Sequence, residues 1–174
     1  MAIRGEQEVR PMSETSMTLW DSVRDEFVRG VAAPADFFRP GVDRVALIRR
    51  ALKLPGGNNR AAAVALLRKM PPQEQQLLFP ELIQLARSAH GSIGAVREII
   101  LSLPREWVLQ RIDAEVEPIL RNEEYDDYWM FLELYEKLDP VRAVNLARRA
   151  AGSANAAIRD LGSERLGYKS EQHT

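Results

Sequence analysis

The chain has 174 residues with a formal net charge of -1, and 45% of its residues are apolar while 28% are charged. This composition is that of a folded globular protein, and near-neutrality argues against bulk attraction to nucleic acid or to an anionic membrane. The absence of cysteine excludes disulfides, thiol nucleophiles and cysteine-ligated metal sites, and two histidines exclude a histidine-rich metal site.

Polar residues without helical or strand periodicity lie at both ends of the sequence. We predict a flexible N-terminal tail over residues 1–17 and a flexible C-terminal tail over residues 168–174. No apolar core follows a basic start, and no run approaches the roughly 18 apolar residues that span a membrane. The sequence therefore predicts a cytoplasmic protein with no membrane contact.

Two helices are predicted to form an N-terminal cap over residues 18–57. The first begins at Thr18, which with Asp21 resembles a capping box, and its stripe is Leu19, Val23, Phe27 and Val31. The second spans residues 44–54, with Asp43 as its N-cap. It is stopped by the turn sequence Pro55-Gly56-Gly57.

From residue 58 the chain repeats an apolar helical stripe that ends at a proline. The stripes lie at residues 61–71, 94–104 and 130–140. A second helix is predicted after each proline, over residues 73–89, 105–121 and 141–151, and a half-repeat over residues 155–166. The residues predicted to face inward on these second helices are Leu78, Leu82, Leu85 and Ala89, then Val108, Ile112, Val116 and Ile119, then Val144, Ala147 and Ala151. Pro80 and Pro118 are expected to kink two of them or delay their starts.

Helix pairs with a period in the thirties cannot bury their apolar faces alone and must stack. Residues 94–121, with an amphipathic helix, a proline-marked turn and a second apolar stripe, resemble one HEAT repeat. The segment NAAIRDLG (155–162) is similar to the start of a HEAT helix. The resemblance covers about residues 58–166. It implies an all-α, right-handed α-solenoid of about eight helices in one domain over residues 18–167, with repeats at 58–167. It also implies a concave partner-binding face lined by the second helices, and no catalytic residues.

Charge is segregated along the chain. Residues 41–70 carry seven basic and one acidic residue, residues 105–140 carry four basic and eleven acidic, and residues 141–169 carry six basic and two acidic. One interpretation is that neighbouring repeats neutralise each other. The other is that a charged surface selects a partner and speeds its encounter.

The candidate partner-binding residues follow from the concave face and the acidic block. Non-core positions on the second helices are Trp107, Arg111, Glu115 and Arg148, and the acidic-aromatic rim consists of Glu123, Glu124, Asp126, Asp127 and Trp129. Aromatic and arginine side chains with a polar border are typical of protein interfaces. The alternative is that Trp129 packs against a neighbouring repeat and the acids favour a helix N-terminus.

No residue pattern indicates catalysis. His90 lies at a predicted helix end without a marked nucleophile or orienting acid, and the glycine-rich segment 56–60 matches neither a Walker loop nor a dinucleotide fingerprint. We therefore expect no catalytic residue, no metal and no cofactor.

The sequence predicts a non-enzymatic protein–protein interaction module that is a monomer or weak homodimer. It would act as an adaptor, scaffold or inhibitor, one version being a bacterial toxin-neutralising (immunity-type) protein, and its partner would carry a basic patch. The alternative is a HEAT-like nucleic-acid-binding protein that uses its basic helices, which the acidic block disfavours.

Overall fold

The computed structural model describes residues 14–31, 34–87 and 90–171, and the regular structure in these ranges is entirely helical, with no strand. This confirms the predicted all-α class. In chain order the helices are α1 (Glu14–Val28), α2 (Arg44–Ala51), α3 (Gly57–Leu67), α4 (Pro72–Gln76), α5 (Phe79–Ala86), α6 (Ile93–Ser102), α7 (Arg105–Leu109), α8 (Ile112–Leu120), α9 (Tyr125–Leu138), α10 (Pro140–Ala151) and α11 (Ala156–Glu171).

Two of the predicted second helices are each divided in two. The segment 73–89 forms α4 and α5, and the segment 105–121 forms α7 and α8. The described residues contain eleven helices where about eight were expected, and these two divisions account for most of the difference. The two breaks have the same hydrogen-bond pattern. The N–H of Leu78 donates to the Gln75 carbonyl, and the N–H of Arg111 donates to the Val108 carbonyl, each at 3.0 Å. Such i to i−3 bonds tighten the last turn of a helix and end it.

The two internal prolines do not account for both breaks, because they occupy different positions in their helices. Pro80 lies in the first turn of α5, where its missing N–H costs no helical hydrogen bond, whereas Pro118 lies near the end of α8. The equivalent prolines of the repeat are Pro71 and Pro104, which are the N-caps of α4 and α7.

The N-terminal helix differs from its prediction. It begins at Glu14, so Thr18 lies inside α1 and the predicted capping box at Thr18 is wrong. Trp20 and Val23 are its buried side chains, while Val31, predicted to extend the stripe, is exposed. Residues 14–17 and 168–171 of the two predicted tails are helical, and residues 1–13 and 172–174 lie outside the described residues.

The chain divides into two compact units, with the boundary between Leu66 and Leu67 inside α3. In the first unit, Trp20 donates its indole N–H to the side-chain oxygen of Asn59 (3.1 Å), which ties α1 to the first turn of α3. The predicted N-cap of α2 is confirmed, since Asp43 accepts the N–H of Ala46 at 3.0 Å. Gly56 has φ of +97°, a left-handed conformation that lets the chain turn into α3.

Helices of the second unit pack mainly on helices that lie within three elements of them along the chain. α5 packs against α6 and α8, α6 against α9, and α9 against α8, α10 and α11. The predicted inward residues of α7 and α8 are all buried. On α10 the buried face is shifted by one position from the prediction and consists of Ala143, Leu146, Ala147 and Ala150.

The backbones of α10 and α11 approach each other closely at Gly162. The alanine-rich face of α10 meets Gly162 of α11, and a Cβ at Gly162 would lie 2.6 Å from the Ala147 carbonyl oxygen and 2.7 Å from the Ala150 carbonyl carbon. These are backbone atoms, which cannot rotate out of the way. Only glycine at position 162 therefore permits this approach of the two helices.

Gly162→Ala should lower the free energy of unfolding by about 3 kcal/mol, because the added methyl group forces the two helices apart. Gly167→Ala on the same helix is the matched control, since its Cβ would meet nothing within 4 Å. Alanine there should be neutral or stabilise by about 0.5–1 kcal/mol through its better helix propensity. Urea denaturation monitored by circular dichroism measures both, and equal stabilities of the two variants would contradict the close approach.

Candidate functional site

A groove lies between α8 and α10 in the second unit. Its volume is about 240 Å³. Each helix contributes the positions i, i+3, i+4 and i+7 of one face, and Tyr135 of α9 contributes to the lining. The lining residues are Asp113, Val116, Glu117 and Leu120 on α8, Tyr135 on α9, and Arg142, Asn145, Leu146 and Arg149 on α10.

Two ion pairs connect the helices across the groove. Arg142 pairs with Asp113, and Arg149 pairs with Glu117 at 2.5 Å. The partners follow in the same order along both helices, so α8 and α10 run parallel. Both acidic residues and both arginines of the lining are used in these pairs, and the charges of the groove therefore sum to zero.

Buried tyrosines support the groove from α9. The hydroxyl of Tyr135 donates to Asp113 at 3.0 Å, and the Arg149 guanidinium lies over the Tyr128 ring, 5.9 Å from its centroid. Burial, followed by the charge of Asp113, raises the pKa of Tyr135, and burial also raises the pKa of Tyr128 against the opposing effect of Arg149. Both hydroxyls are therefore held in their neutral form.

These pKa shifts predict that stability falls as the pH rises above about 10. The unfolded tyrosines lose their protons near that pH while the folded ones keep theirs, so alkali favours the unfolded state. Tyr135→Phe should reduce the slope of stability against pH by up to about 1.4 kcal/mol per pH unit. Urea denaturation between about pH 9 and 11.5 tests this, with Tyr125→Phe as the control; equal slopes for the two variants would contradict it.

Further arginines neutralise two acids of the block 105–140 that lie on α9. Arg97 pairs with Glu133 at 2.7 Å, and Arg165 of α11 pairs with Glu136 at 3.2 Å. In these pairs and in the groove pairs, acids of the block are neutralised by arginines of other helices in the second unit.

Asp127 requires a correction to the sequence analysis, which places it at an exposed rim. It is 3% exposed, and the guanidinium of Arg87 binds both of its carboxylate oxygens at 2.9 and 2.8 Å. This pair joins the end of α5 to the first turn of α9. Asp127 is therefore part of the interior of the second unit and is not available to a partner.

Asp127→Asn should destabilise the protein by roughly 2–3 kcal/mol, because it leaves the Arg87 guanidinium without its buried counter-charge. Asp126→Asn is the matched control, since Asp126 is the exposed neighbour on the same turn and its change should stay within about 0.5 kcal/mol. Thermal and urea denaturation measure both. A loss of stability as small for Asp127→Asn as for Asp126→Asn would contradict this role.

The two candidate tryptophans also make contacts within the unit. Trp129 donates to Glu133 at 3.0 Å and lies under the Arg165 guanidinium, 5.2 Å from the ring centroid, so it packs against a neighbouring helix. Trp107 meets the edge of Phe79 at 5.1 Å and carries the exposed Arg111 over its other side at 4.5 Å. Trp107 and Arg111 therefore form one partly exposed cluster on α7 and the break after it.

The remaining candidates are exposed, apart from Glu115, which is half-buried. Their side chains form no hydrogen bond or ion pair with the residues that the structure describes, and they are Glu115, Glu123, Glu124, Asp126 and Arg148. None of the candidate residues lines the groove. The signal for the groove was present in the sequence as complementary faces, with acids at 113 and 117 on one helix and arginines at 142 and 149 on the next but one.

His90 contacts backbone groups on either side of it in the chain. Its Nε2 lies 3.0 Å from the Leu85 carbonyl, and its Nδ1 accepts the N–H of Ser92 at 3.1 Å, so both ring nitrogens serve the loop before α6. Among the described residues, no three acidic or histidine side chains are grouped to hold a metal ion, and no helix has the length and hydropathy to cross a bilayer.

Comparison with known proteins identifies no relative: the chain matches no protein-family model, no curated protein and no solved structure.

Proposed function

We propose that this protein is a non-enzymatic, cytoplasmic protein-binding module built as a HEAT-like, right-handed solenoid over about residues 58–166. The repeated break of the second helix, the equivalent N-cap prolines and the packing of α5 on α8 and of α6 on α9 support this. Helix pairs that contact mainly their neighbours are the hallmark of solenoid architecture.

The binding surface in this proposal is the concave face formed by the second helices of the second unit. The observation that carries it is the groove between α8 and α10, whose apolar lining lies between charged side chains. An apolar centre with a polar border is the usual arrangement of a protein interface. The partly exposed pair of Trp107 and Arg111 adds two of the residue types that dominate binding energy in such interfaces.

The unpaired acids of this chain indicate that the partner carries the opposite, positive charge. Glu115, Glu123, Glu124 and Asp126 remain free of ion pairs within the described residues, so they can attract a partner with a basic patch and speed its encounter. An adaptor, a scaffold or an inhibitor, including a bacterial immunity-type protein, fits this surface. Binding to nucleic acid is less well supported, because Arg142, Arg149 and Arg165 are already paired with carboxylates.

Site-specific photo-crosslinking in the native host tests the proposal. A photoreactive residue at Asn145, which is exposed and lines the groove, should crosslink to one protein that mass spectrometry identifies. The same residue at Glu164, exposed on α11 and outside the groove lining, is the control and should not crosslink to it. No crosslinked protein at Asn145, or equal crosslinking at both positions, would contradict binding through this face.

A further inference from the structure

A row of three side chains, Trp107, Arg111 and Glu115, crosses the break between α7 and α8 at intervals of four residues. Arg111 is the exposed N-cap of α8, and Glu115 is half-buried in its first turn, an interval at which an arginine and a glutamate can pair. Arg111 instead lies over the Trp107 ring, 4.5 Å from its centroid. Neither charged side chain forms an ion pair with the described residues, so the row presents an unpaired cation beside an unpaired anion.

Trp107 also has an unused hydrogen-bond donor. The indole N–H groups of Trp20 and Trp129 donate to side-chain oxygens at 3.1 and 3.0 Å, whereas the N–H of Trp107 donates to no atom of the described residues. A tryptophan that is partly buried usually has a partner for this group, and tryptophan and arginine dominate the binding energy of protein interfaces. Because the Arg111 guanidinium lies over the same ring, the two donors are close together and could bind one carboxylate.

The row lies away from the groove between α8 and α10. The buried stripe of α8 includes Ile112 and Val116. With about 3.6 residues per turn, Glu115 lies on one flank of this stripe, and Asp113 and Glu117 of the groove lie on the other. A protein that covers the row therefore leaves the groove open.

Opposite charges at neighbouring positions make a surface that is complementary to itself. In a dimer with two-fold symmetry, residue i of one copy faces residue j of the other, and j faces i. Arg111 would face Glu115 of the partner subunit, and Glu115 would face Arg111 of the partner subunit. Each carboxylate would then accept hydrogen bonds from a guanidinium and from the nearby indole N–H, so that all three unused groups are satisfied.

We infer that the row of Trp107, Arg111 and Glu115 is the contact surface of a symmetric homodimer, in which its occupant is a second copy of this chain. This inference rests on the proposed function and deepens it, since it names the protein that covers one part of the proposed binding surface. An unrelated partner would need a carboxylate and a cation at the matching spacing, whereas a second copy presents both by symmetry. The contact is small, so the dimer should be weak, with a Kd on the order of 0.1 mM.

Sedimentation velocity of the intact protein between about 10 µM and about 1 mM tests this inference. At low salt the wild type should change from monomer to dimer over this range. Raising the ionic strength should weaken the dimer severalfold, because the charges that face each other are near the surface and are screened by salt.

Charge reversal identifies the residues that face each other. Arg111→Glu or Glu115→Arg alone puts like charges opposite each other and should raise the dimer Kd about tenfold or more. An equal mixture of these two variants brings opposite charges together again, so they should form a heterodimer with a Kd within about threefold of the wild-type value. Glu164→Arg on the exposed surface of α11 is the control for net charge and should dimerise as the wild type does.

Trp107→Phe tests the indole donor separately. Phenylalanine keeps an aromatic ring against Phe79 and removes only the N–H, so the dimer should weaken about tenfold. Circular dichroism and thermal denaturation should show that all of these variants remain folded, since Arg111 and Glu164 are exposed and Glu115 has no partner among the described residues.

A wild type that stays monomeric at about 1 mM would overturn the inference, as would single charge variants that dimerise like the wild type or a mixture without heterodimers. The proposed function fails separately. If Asn145 crosslinks to a different protein while this chain stays monomeric, the function stands and the inference falls. If the dimer behaves as expected and no protein crosslinks at Asn145, binding through the groove face falls and the inference stands.

Discussion

Pairing between arginines and carboxylates of successive helices fixes how the second unit is assembled. The partners lie 40 residues apart for Arg87 and Asp127, 36 for Arg97 and Glu133, and 32 for Arg149 and Glu117, which is about one helix pair in each case. Among these pairs, the more exposed one between Arg149 and Glu117 contributes little stability by itself, whereas the buried Asp127 depends on Arg87; the apolar side chains between the helices supply most of the stability. The ion pairs instead favour one alignment of each helix on the next, since a shifted alignment would leave charges unpaired.

Because of the same pairing, the composition of the sequence overstates the unpaired charge at the surface of the second unit. The block 105–140 is strongly acidic in composition, yet most of its acids on α8 and α9 are held by arginines of neighbouring helices. What remains free is concentrated at Glu115 and around the start of α9. The surface is therefore less acidic than the sequence implies, and its apolar groove lies among neutralised charges.

Much of the fold could be predicted from local periodicity. Val108, Ile112, Val116 and Ile119 recur at helical spacing and are all buried, and Asp43 caps α2 as its position before a helical stripe predicts. The starts of the second-helix segments were located because a proline marks each turn before them, although two of these segments are divided into two helices. These features depend on residues within one helix or one turn of each other, which is the range that a sequence pattern describes.

The features that were missed depend on contacts between distant residues. Asp127 is buried because Arg87 neutralises it, and nothing near Asp127 in sequence indicates that partner. On α10 many alanines make the stripe ambiguous, and the contact of Ala147 and Ala150 with Gly162 of α11, which the sequence of α10 does not indicate, accounts for part of the buried face. The groove likewise requires α8 and α10 to lie side by side, which no single segment specifies.

The close contact between α10 and α11 affects the groove, which is lined by another face of α10. This helix carries Arg142, Asn145 and Arg149 on one face, and on another face it rests on backbone atoms with almost no side chain between. Long side chains between two helices could change rotamer and so absorb a small displacement of one helix. Backbone atoms in direct contact cannot, so the displacement is transmitted to the other helix. The width of the groove therefore depends in part on Gly162 and the alanines of α10 that it contacts, although none of these residues lines the groove.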